Sequence, residues 1–262
     1  MRVADFSANV GGFLEGFRKA GHQIVCMCEQ DKNARAVLEA NFGHPATSLA
    51  STPVSYIPHA DVVCSLGGLR AFLGYIKGIL PRAIVAEYES VTAAAEAVVL
   101  NDYQVYQESL GRGVVVVAIR NDVKTPFLSF PFPLARPRPK MSDIIEADAP
   151  GELLLGEGWR SKLEEEEKKN ASRSVRFRCR ILRPDDEAPR IPSNYHKYGH
   201  DPLVDDCRGP RRLSVLECKR IAGFDDSYKM PVSRTHAYRL LASATNPKMA
   251  EDVANELETW LG

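Results

Sequence analysis

Short apolar runs alternate with longer amphipathic stretches through the first 120 residues. The runs are MRVADF at the start, QIVCMC (23–28), ADVVCSL (60–66), RAIVAEY (82–88) and GVVVVAI (113–119). Valine-rich runs with so little alternation suit strands that are covered on both faces. Between the first two, GGFLEGFRKAG (11–21) sets Phe13, Leu14 and Phe17 on one helical face and closes at Gly21. DKNARAVLEANFG (31–43) turns Val37, Leu38 and Phe42 inward in the same way. Strand and helix in this order predict an α/β fold with a doubly wound, mostly parallel sheet.

The pattern changes after residue 123. FLSFPFPLARPRP is too rich in proline for a core strand or helix. KLEEEEKK (162–169) is a solvated, charged helix face, and SVRFRCRIL follows with Arg176, Arg178 and Arg180 on one strand face. Residues 124–210 therefore read as a small, strand-containing appendage to a core domain spanning 1–123. From 211 the chain is regular again. Ser214 and Glu217 form a capping box before VLECKRIAGF, and Met249, Val253, Leu257 and Trp260 recur at helical spacing. Residues 211–262 are expected to supply helices that complete the core domain.

Composition narrows the class. The 34 Lys plus Arg balance 34 Asp plus Glu, which argues against strong non-specific nucleic-acid binding. A chain of 262 residues buries a core that needs no disulfide or metal staple. No stretch approaches the roughly 18–20 apolar residues of a membrane span, and the first residues lack the pattern of a signal peptide. An intracellular protein is expected, of cytoplasm, nucleoid or nucleus. The cysteines Cys26, Cys28, Cys64, Cys179, Cys207 and Cys218 include no CxxC pair. Cys26 and Cys28 share one strand face and read as buried free thiols in preference to a metal site. His196 and His200, four apart in a loop, read as surface residues and not as a metal pair.

The chemistry gathers after the first strand. In DFSANVGGF, Gly11 and Gly12 leave room for backbone amides to approach a ligand at a helix N-terminus. Glu29 ends the second strand, where an acid receives a ribose hydroxyl pair in dinucleotide-type folds.

DFSANVGGF resembles the first S-adenosylmethionine motif of the DNA cytosine-5 methyltransferases, and CEQDKNARAVLEANFG resembles the segment after it. RRLSVLECKRIAGFDDSYKMPVSRTHAYRLL (211–241) is similar to the family's ninth motif and the start of its tenth. The matches run in the family's order over nearly the whole chain. The resemblance implies a Rossmann-like methyltransferase fold with a target-recognition-like appendage. It also implies Asp5, Phe6, Gly11, Gly12 and Glu29 as the cofactor-binding set, with S-adenosylmethionine or S-adenosylhomocysteine as ligand.

In that family a cysteine thiolate adds to C6 of a flipped cytosine while a glutamate holds N3. Laying DVVCSLGGLRAF on the Pro-Cys motif without gaps puts Gly68 at the proline and Leu69 at the nucleophile. Leucine has no nucleophilic atom. Cys64 lies earlier, inside an apolar strand that raises and hides a thiol. Glu87 matches the family's glutamate but is followed by Tyr88 and Glu89, so it reads as a remnant. The Gln-x-Arg-x-Arg stretch is missing where QESLGRG enters the strand at 113, and Arg112 cannot replace two arginines. Ala242 and Ser243 stand at the Gly-Asn pair of the tenth motif.

The cofactor motifs have lost contacts as well. Asn9 replaces a glycine, Ser7 falls where an aromatic residue meets the adenine, and Ser48 falls where an aspartate bonds its amine. Each loss costs about 1–3 kcal/mol where a polar group is left unpaired, which moves micromolar binding toward millimolar.

Losses confined to the nucleophile, the base clamp and the cofactor pocket, with apolar strands intact, imply a folded, inactive homologue. Its expected role is that of a regulatory or structural partner, with an active DNA methyltransferase as one partner. The apolar stretch Leu66–Phe72 then offers a partner surface or simply fills the emptied pocket. Two other readings stay open. One is an active methyltransferase with rearranged residues. The other is a DNA-binding module that contacts phosphates through Arg176, Arg178, Arg180, Arg211 and Arg212.

Overall fold

Strands β1 (Arg2–Asp5), β2 (Gln23–Met27), β3 (Val62–Leu66), β4 (Ala83–Tyr88), β5 (Tyr103–Leu110) and β6 (Gly113–Arg120) form one sheet in the order β2-β1-β3-β4-β6-β5. β1 to β4 run parallel, β6 is antiparallel to β4, and β5 is antiparallel to β6. The computed structural model describes residues 1–49, 52–90, 101–110, 113–125, 129–133, 137–159, 161, 165, 180–198, 201–206 and 208–262.

Both faces of this sheet are covered, and strand alternation sorts the residues between them. Val63, Ile84, Ala86, Val116 and Ala118 face one apolar layer, with Leu69 and Ile76 of α3 (Leu69–Ile79) packed on them. Val62, Cys64, Val85, Val115 and Val117 face the other, against Phe13 and Phe17 of α1 (Gly12–Lys19). Val253, Leu257 and Trp260 of the C-terminal helix (Pro247–Leu261) complete that second layer. This is why the runs carry so little alternation in sequence: inner strands meet apolar neighbours on both sides. α2 (Lys32–Phe42) is capped by Asp31, whose carboxylate accepts from the Asn33 and Ala34 amides, and stops at left-handed Gly43.

α1 and the C-terminal helix approach closely because α1 carries a glycine at the crossing. A Cβ on Gly16 would sit 2.5 Å from the Ala250 Cβ and 2.5 Å from the Pro247 carbonyl oxygen.

The chain divides into two compact units. One comprises Met1–Arg136, Tyr228–Val232 and Ala244–Gly262, and the other Pro137–Ser227 and Ser233–Ser243. The appendage thus extends beyond the expected boundary at 210, because helices α5 (Val215–Ala222) and α6 (Arg234–Ala242) belong to it. Its sheet orders β7 (Ile181–Leu182), β8 (Leu203–Asp206) and β9 (Gly209–Arg212) as β7-β8-β9, with the short helix α4 (Tyr195–Tyr198) between the first two strands in sequence. Tyr195 donates to the Pro202 carbonyl and accepts from the Leu213 amide, while Tyr238 of α6 donates to the Leu213 carbonyl.

The centre of this unit is an ion pair with both side chains at 0% exposure: Arg211 gives two hydrogen bonds to Glu217, at 2.9 and 2.7 Å. Glu217 also accepts from the Ser214 amide, which completes the capping box, and from the Glu146 amide. The expectation that Arg211 contacts DNA phosphates is therefore wrong. Alternation along β9 turns Arg211 into the unit, and only its neighbour Arg212 is half-exposed. Arg180 is exposed, whereas Arg176 and Arg178 lie outside the described residues.

Two changes test this packing. Gly16→Ala is expected to lower stability by about 1–3 kcal/mol in thermal or urea unfolding, despite the better helix propensity of alanine, because neither neighbouring atom is the end of a flexible side chain. Arg211→Ala leaves a buried carboxylate without its guanidinium and is expected to cost about 3–5 kcal/mol in urea unfolding.

Candidate functional site

Leaving β1, the chain turns to β2 on one side and later reaches β3 on the other, so the sheet order reverses at the C-terminal end of β1. Open α/β sheets bind ligands at such a point. Asp5, the turn from Phe6 to Gly11, Glu29 after β2 and the Leu66–Gly68 loop after β3 all belong to this end of the sheet.

Asp5 is 1% exposed. Its Oδ1 accepts from the Ser7 amide at 3.0 Å, and its buried Oδ2 has no hydrogen-bond partner among the described residues. Burial pushes the carboxyl up to about 7, opposed by the Ser7 amide and reinforced by the negative charge of Glu29. Glu29 is half-buried with both oxygens engaged: Oε2 accepts from the Asn9 amide at 2.7 Å and Oε1 from the Asp31 amide at 2.8 Å. Asn9 holds φ at 49°, a left-handed conformation tolerated by asparagine better than by most residues. That asparagine occupies the glycine position of the motif is thus consistent with the turn itself.

The two glycines do less for a ligand than their place in the sequence suggests. A Cβ on Gly12 would lie 2.0 Å from the Thr245 carbonyl oxygen, so the bare face of this residue admits the chain's own backbone. Gly11 has φ at 82°, and a Cβ there would meet Leu38, Phe42 and the Tyr228 hydroxyl, each at 2.9 Å. Phe6 is 3% exposed, and its ring packs at 5.8 Å from both Phe72 and Tyr75. Ser48 donates to the Gln30 side-chain oxygen at 2.6 Å. Of the contacts that the resemblance assigns to S-adenosylmethionine, Ser7 offers no ring and Ser48 no carboxylate, while Asp5 keeps a buried oxygen free for a donor or a cation.

The position of the nucleophile is altered in backbone as well as side chain. Gly67 and Gly68 have φ at 70° and 64°, and Gly68 caps α3. Proline, fixed near φ −65°, cannot adopt that conformation. Leu69 is 1% exposed and belongs to the apolar layer that includes Phe6, with Phe72 and Tyr75 packed against it, while Leu66 and Phe72 are half-buried and Ala71 is exposed. Cys64 is fully buried within β3 between Asp5 and Val85, and burial, then the Asp5 charge, drives its thiol well above the ordinary range. Glu87 is 4% exposed, and its Oε2 accepts from the Thr245 hydroxyl at 2.7 Å.

The missing arginine segment has a structural counterpart. β5 and β6 form a hairpin whose last pair is Leu110 and Gly113, leaving only two residues for the connection. The described residues hold no group of three or more His, Cys, Asp or Glu side chains able to bind a metal, and no helix among them is long and apolar enough to cross a membrane. His196 is half-buried, with Nδ1 facing the Ser193 carbonyl, and His200 lies outside the described residues.

The Asp5 carboxyl supplies a pH test. Its value in the fold stands above the ordinary 3.8, so ionisation is easier in the unfolded chain and the fold loses stability as pH rises from about 4 to 7. Asp5→Asn is expected to gain about 1–3 kcal/mol over wild type at pH 8 and nothing at pH 4, read from unfolding curves at both values.

The sequence profile of the C-5 cytosine-specific DNA methylases matches residues 102–259. The Type II methyltransferase M.MthTI of Methanothermobacter thermautotrophicus is 26% identical, over 98% of this chain and 97% of its own length. M.DsaV of Dactylococcopsis salina is 21% identical over 100% of this chain and 87% of its own. These alignments run over 326 and 306 positions, longer than this 262-residue chain. Among solved structures, the Dnmt2 methyltransferase of S. pombe superposes with a TM-score of 0.74 at 15% identity, covering 99% of each chain. The Entamoeba histolytica methyltransferase EhMeth superposes with 0.71 at 14% identity, covering 100% of this chain and 97% of its own. Family profile and fold agree: this chain belongs to the C-5 cytosine-specific DNA methylase family.

Proposed function

We propose that this chain transfers no methyl group on its own and serves as a regulatory or structural partner, with an active DNA methyltransferase as its partner. The observation that carries the reading is Leu69, which stands at the nucleophile position, 1% exposed, after a glycine whose φ excludes proline. Covalent catalysis at cytosine needs a thiolate that reaches C6, and Cys64 is neither exposed nor ionised in its strand. Glu87 has a structural use that survives the loss of chemistry, because its carboxylate receives the Thr245 hydroxyl. The apolar core supports selection for a folded product: β4 is buried throughout, and the inner residues of β6 remain valine, alanine and isoleucine.

For the cofactor the proposal is weak binding, with Asp5, Glu29 and the turn between Phe6 and Gly12 as the residues nearest to a ligand. The lost contacts at Ser7 and Ser48 together are worth several factors of ten in affinity.

Calorimetric titration with S-adenosylmethionine and S-adenosylhomocysteine is expected to give dissociation constants of about a millimolar or weaker. A tritium-transfer assay on cytosine-containing DNA is expected to give no signal from the purified chain, and Leu69→Cys alone is expected to restore none. Micromolar affinity for the cofactor, together with methyl transfer that Glu87→Gln abolishes, would sink the proposal and establish an enzyme with rearranged residues.

A further inference from the structure

At the end of β2 lies a pair of thiols in contact, Cys26 and Cys28. Cys26 opens onto a groove of about 520 Å³, flanked by Thr47, Pro53 and the exposed ring of Tyr56. That volume is within the range of about 300–1,000 Å³ that small-molecule sites occupy. Behind Cys26 sits Cys28, 0% exposed, with the two Sγ atoms 3.6 Å apart and the Thr47 hydroxyl 3.6 Å from the Cys28 sulfur. Strand geometry produces the pairing, since residues two apart project from the same face.

The two sulfurs are inequivalent. Cys26 is half-buried and reachable from the groove, and its hydrogen-bonding contact with Cys28 holds its thiol below the ordinary value despite partial burial. Cys28 is raised by the same contact and by burial, so Cys26 is the thiol of the two that ionises first. Cys64 and Cys218, the other described cysteines, are both 0% exposed and raised by burial. An accessible thiol with a buried thiol in contact behind it is the arrangement of an attacking and a resolving cysteine.

We propose that Cys26 and Cys28 form a thiol–disulfide exchange pair that reacts with a low-molecular-weight disulfide of peptide size bound in this groove. The Cys26 thiolate attacks one sulfur of the disulfide, forming a mixed disulfide and expelling one thiolate, which takes up a proton. Cys28 then loses its proton and attacks the Cys26 sulfur, expelling the second small thiolate. The net change oxidises the two protein thiols to one disulfide and reduces the small disulfide to two thiols. Cα atoms two apart on a strand are about 6.6–6.8 Å from each other, at the upper limit of disulfide geometry, so the bond formed is readily reduced again. The Cys28 amide donates to the Asp5 carbonyl and Glu29 follows directly, so the exchange is felt at the turn after β1.

The test is incubation of the folded, full-length chain with glutathione disulfide, an acid quench, and peptide mass spectrometry. Wild type is expected to yield a Cys26–Cys28 disulfide, two hydrogens lighter than the dithiol. Cys28→Ser is expected to stop at a stable glutathione adduct on Cys26, and Cys26→Ser to leave Cys28 unmodified. Cys64 and Cys218 report on folding within the same samples. If a variant unfolds and exposes them, native wild type decides by alkylation with iodoacetamide, where Cys26 is expected to react at least about tenfold faster than either. An unmodified Cys26 in wild type, an equal adduct on Cys28 in Cys26→Ser, or equal alkylation rates overturns the proposal.

Discussion

Two absent methyl groups decide how the ends of the sequence meet in the larger unit. Gly12 lets the Thr245 carbonyl come against the first turn of α1, and Gly16 lets the Pro247 carbonyl and Ala250 come against its middle. Any side chain at either place pushes the C-terminal helix off the sheet, where Val253, Leu257 and Trp260 cover the strands. The same approach carries the Thr245 hydroxyl onto Glu87 in β4. Hence the glycine pair of the first motif, the end of the tenth and the surviving glutamate are parts of one packing arrangement. Tyr228 adds a further tie by donating its hydroxyl to the Val10 carbonyl in the turn.

This arrangement explains how chemistry can be lost without loss of fold. Two of the departures from the family's catalytic pattern, Leu69 at the start of α3 and the short β5–β6 hairpin, lie outside the α1 crossing. At Leu69 the change even adds to the core, because a leucine side chain replaces a group that must face substrate and packs beside Phe6 and Ile76. The positive φ of Gly67 and Gly68 fixes that outcome in the backbone. Burying a leucine contributes about 1.5–3 kcal/mol, so reverting the residue sacrifices packing before it gains chemistry.

Strands β1 to β4 and β6, α1, α2, the capping box of α5 and the C-terminal helix are legible in the sequence, because each carries its signal locally, in periodicity or in a cap. Three features are not. β5 lies at the sheet edge, and YQVYQESL has polar residues on both faces, so neither alternation nor an apolar run marks it. α3 was hidden because its first residues coincide with the nucleophile motif, although Leu69, Phe72, Leu73 and Ile76 do recur at helical spacing. Arg211 was grouped with Arg212 as a surface pair, yet adjacent strand residues face opposite ways and one of them had to turn inward. Its partner was visible too, since Glu217 was already recognised as the capping acid of the next helix. What no local rule supplies is that one carboxylate serves both the cap and a buried guanidinium. For that reason α5 joins the smaller unit and does not continue the larger one.

Glu87 and Asp5 are the two buried carboxylates that survive at the sheet's C-terminal end, and they survive on different terms. Glu87 has a hydroxyl donor from the chain itself, which offsets its desolvation. Asp5 has one amide for two oxygens, and its second oxygen is buried without a partner. The fold therefore carries a standing cost at Asp5 that it does not carry at Glu87, and asparagine of nearly the same shape would remove the charge. A side chain that destabilises the protein at neutral pH persists where something outside the chain repays it, as groups at binding sites do. Among the cofactor-motif residues, Asp5 is thus the one whose charge packing does not explain.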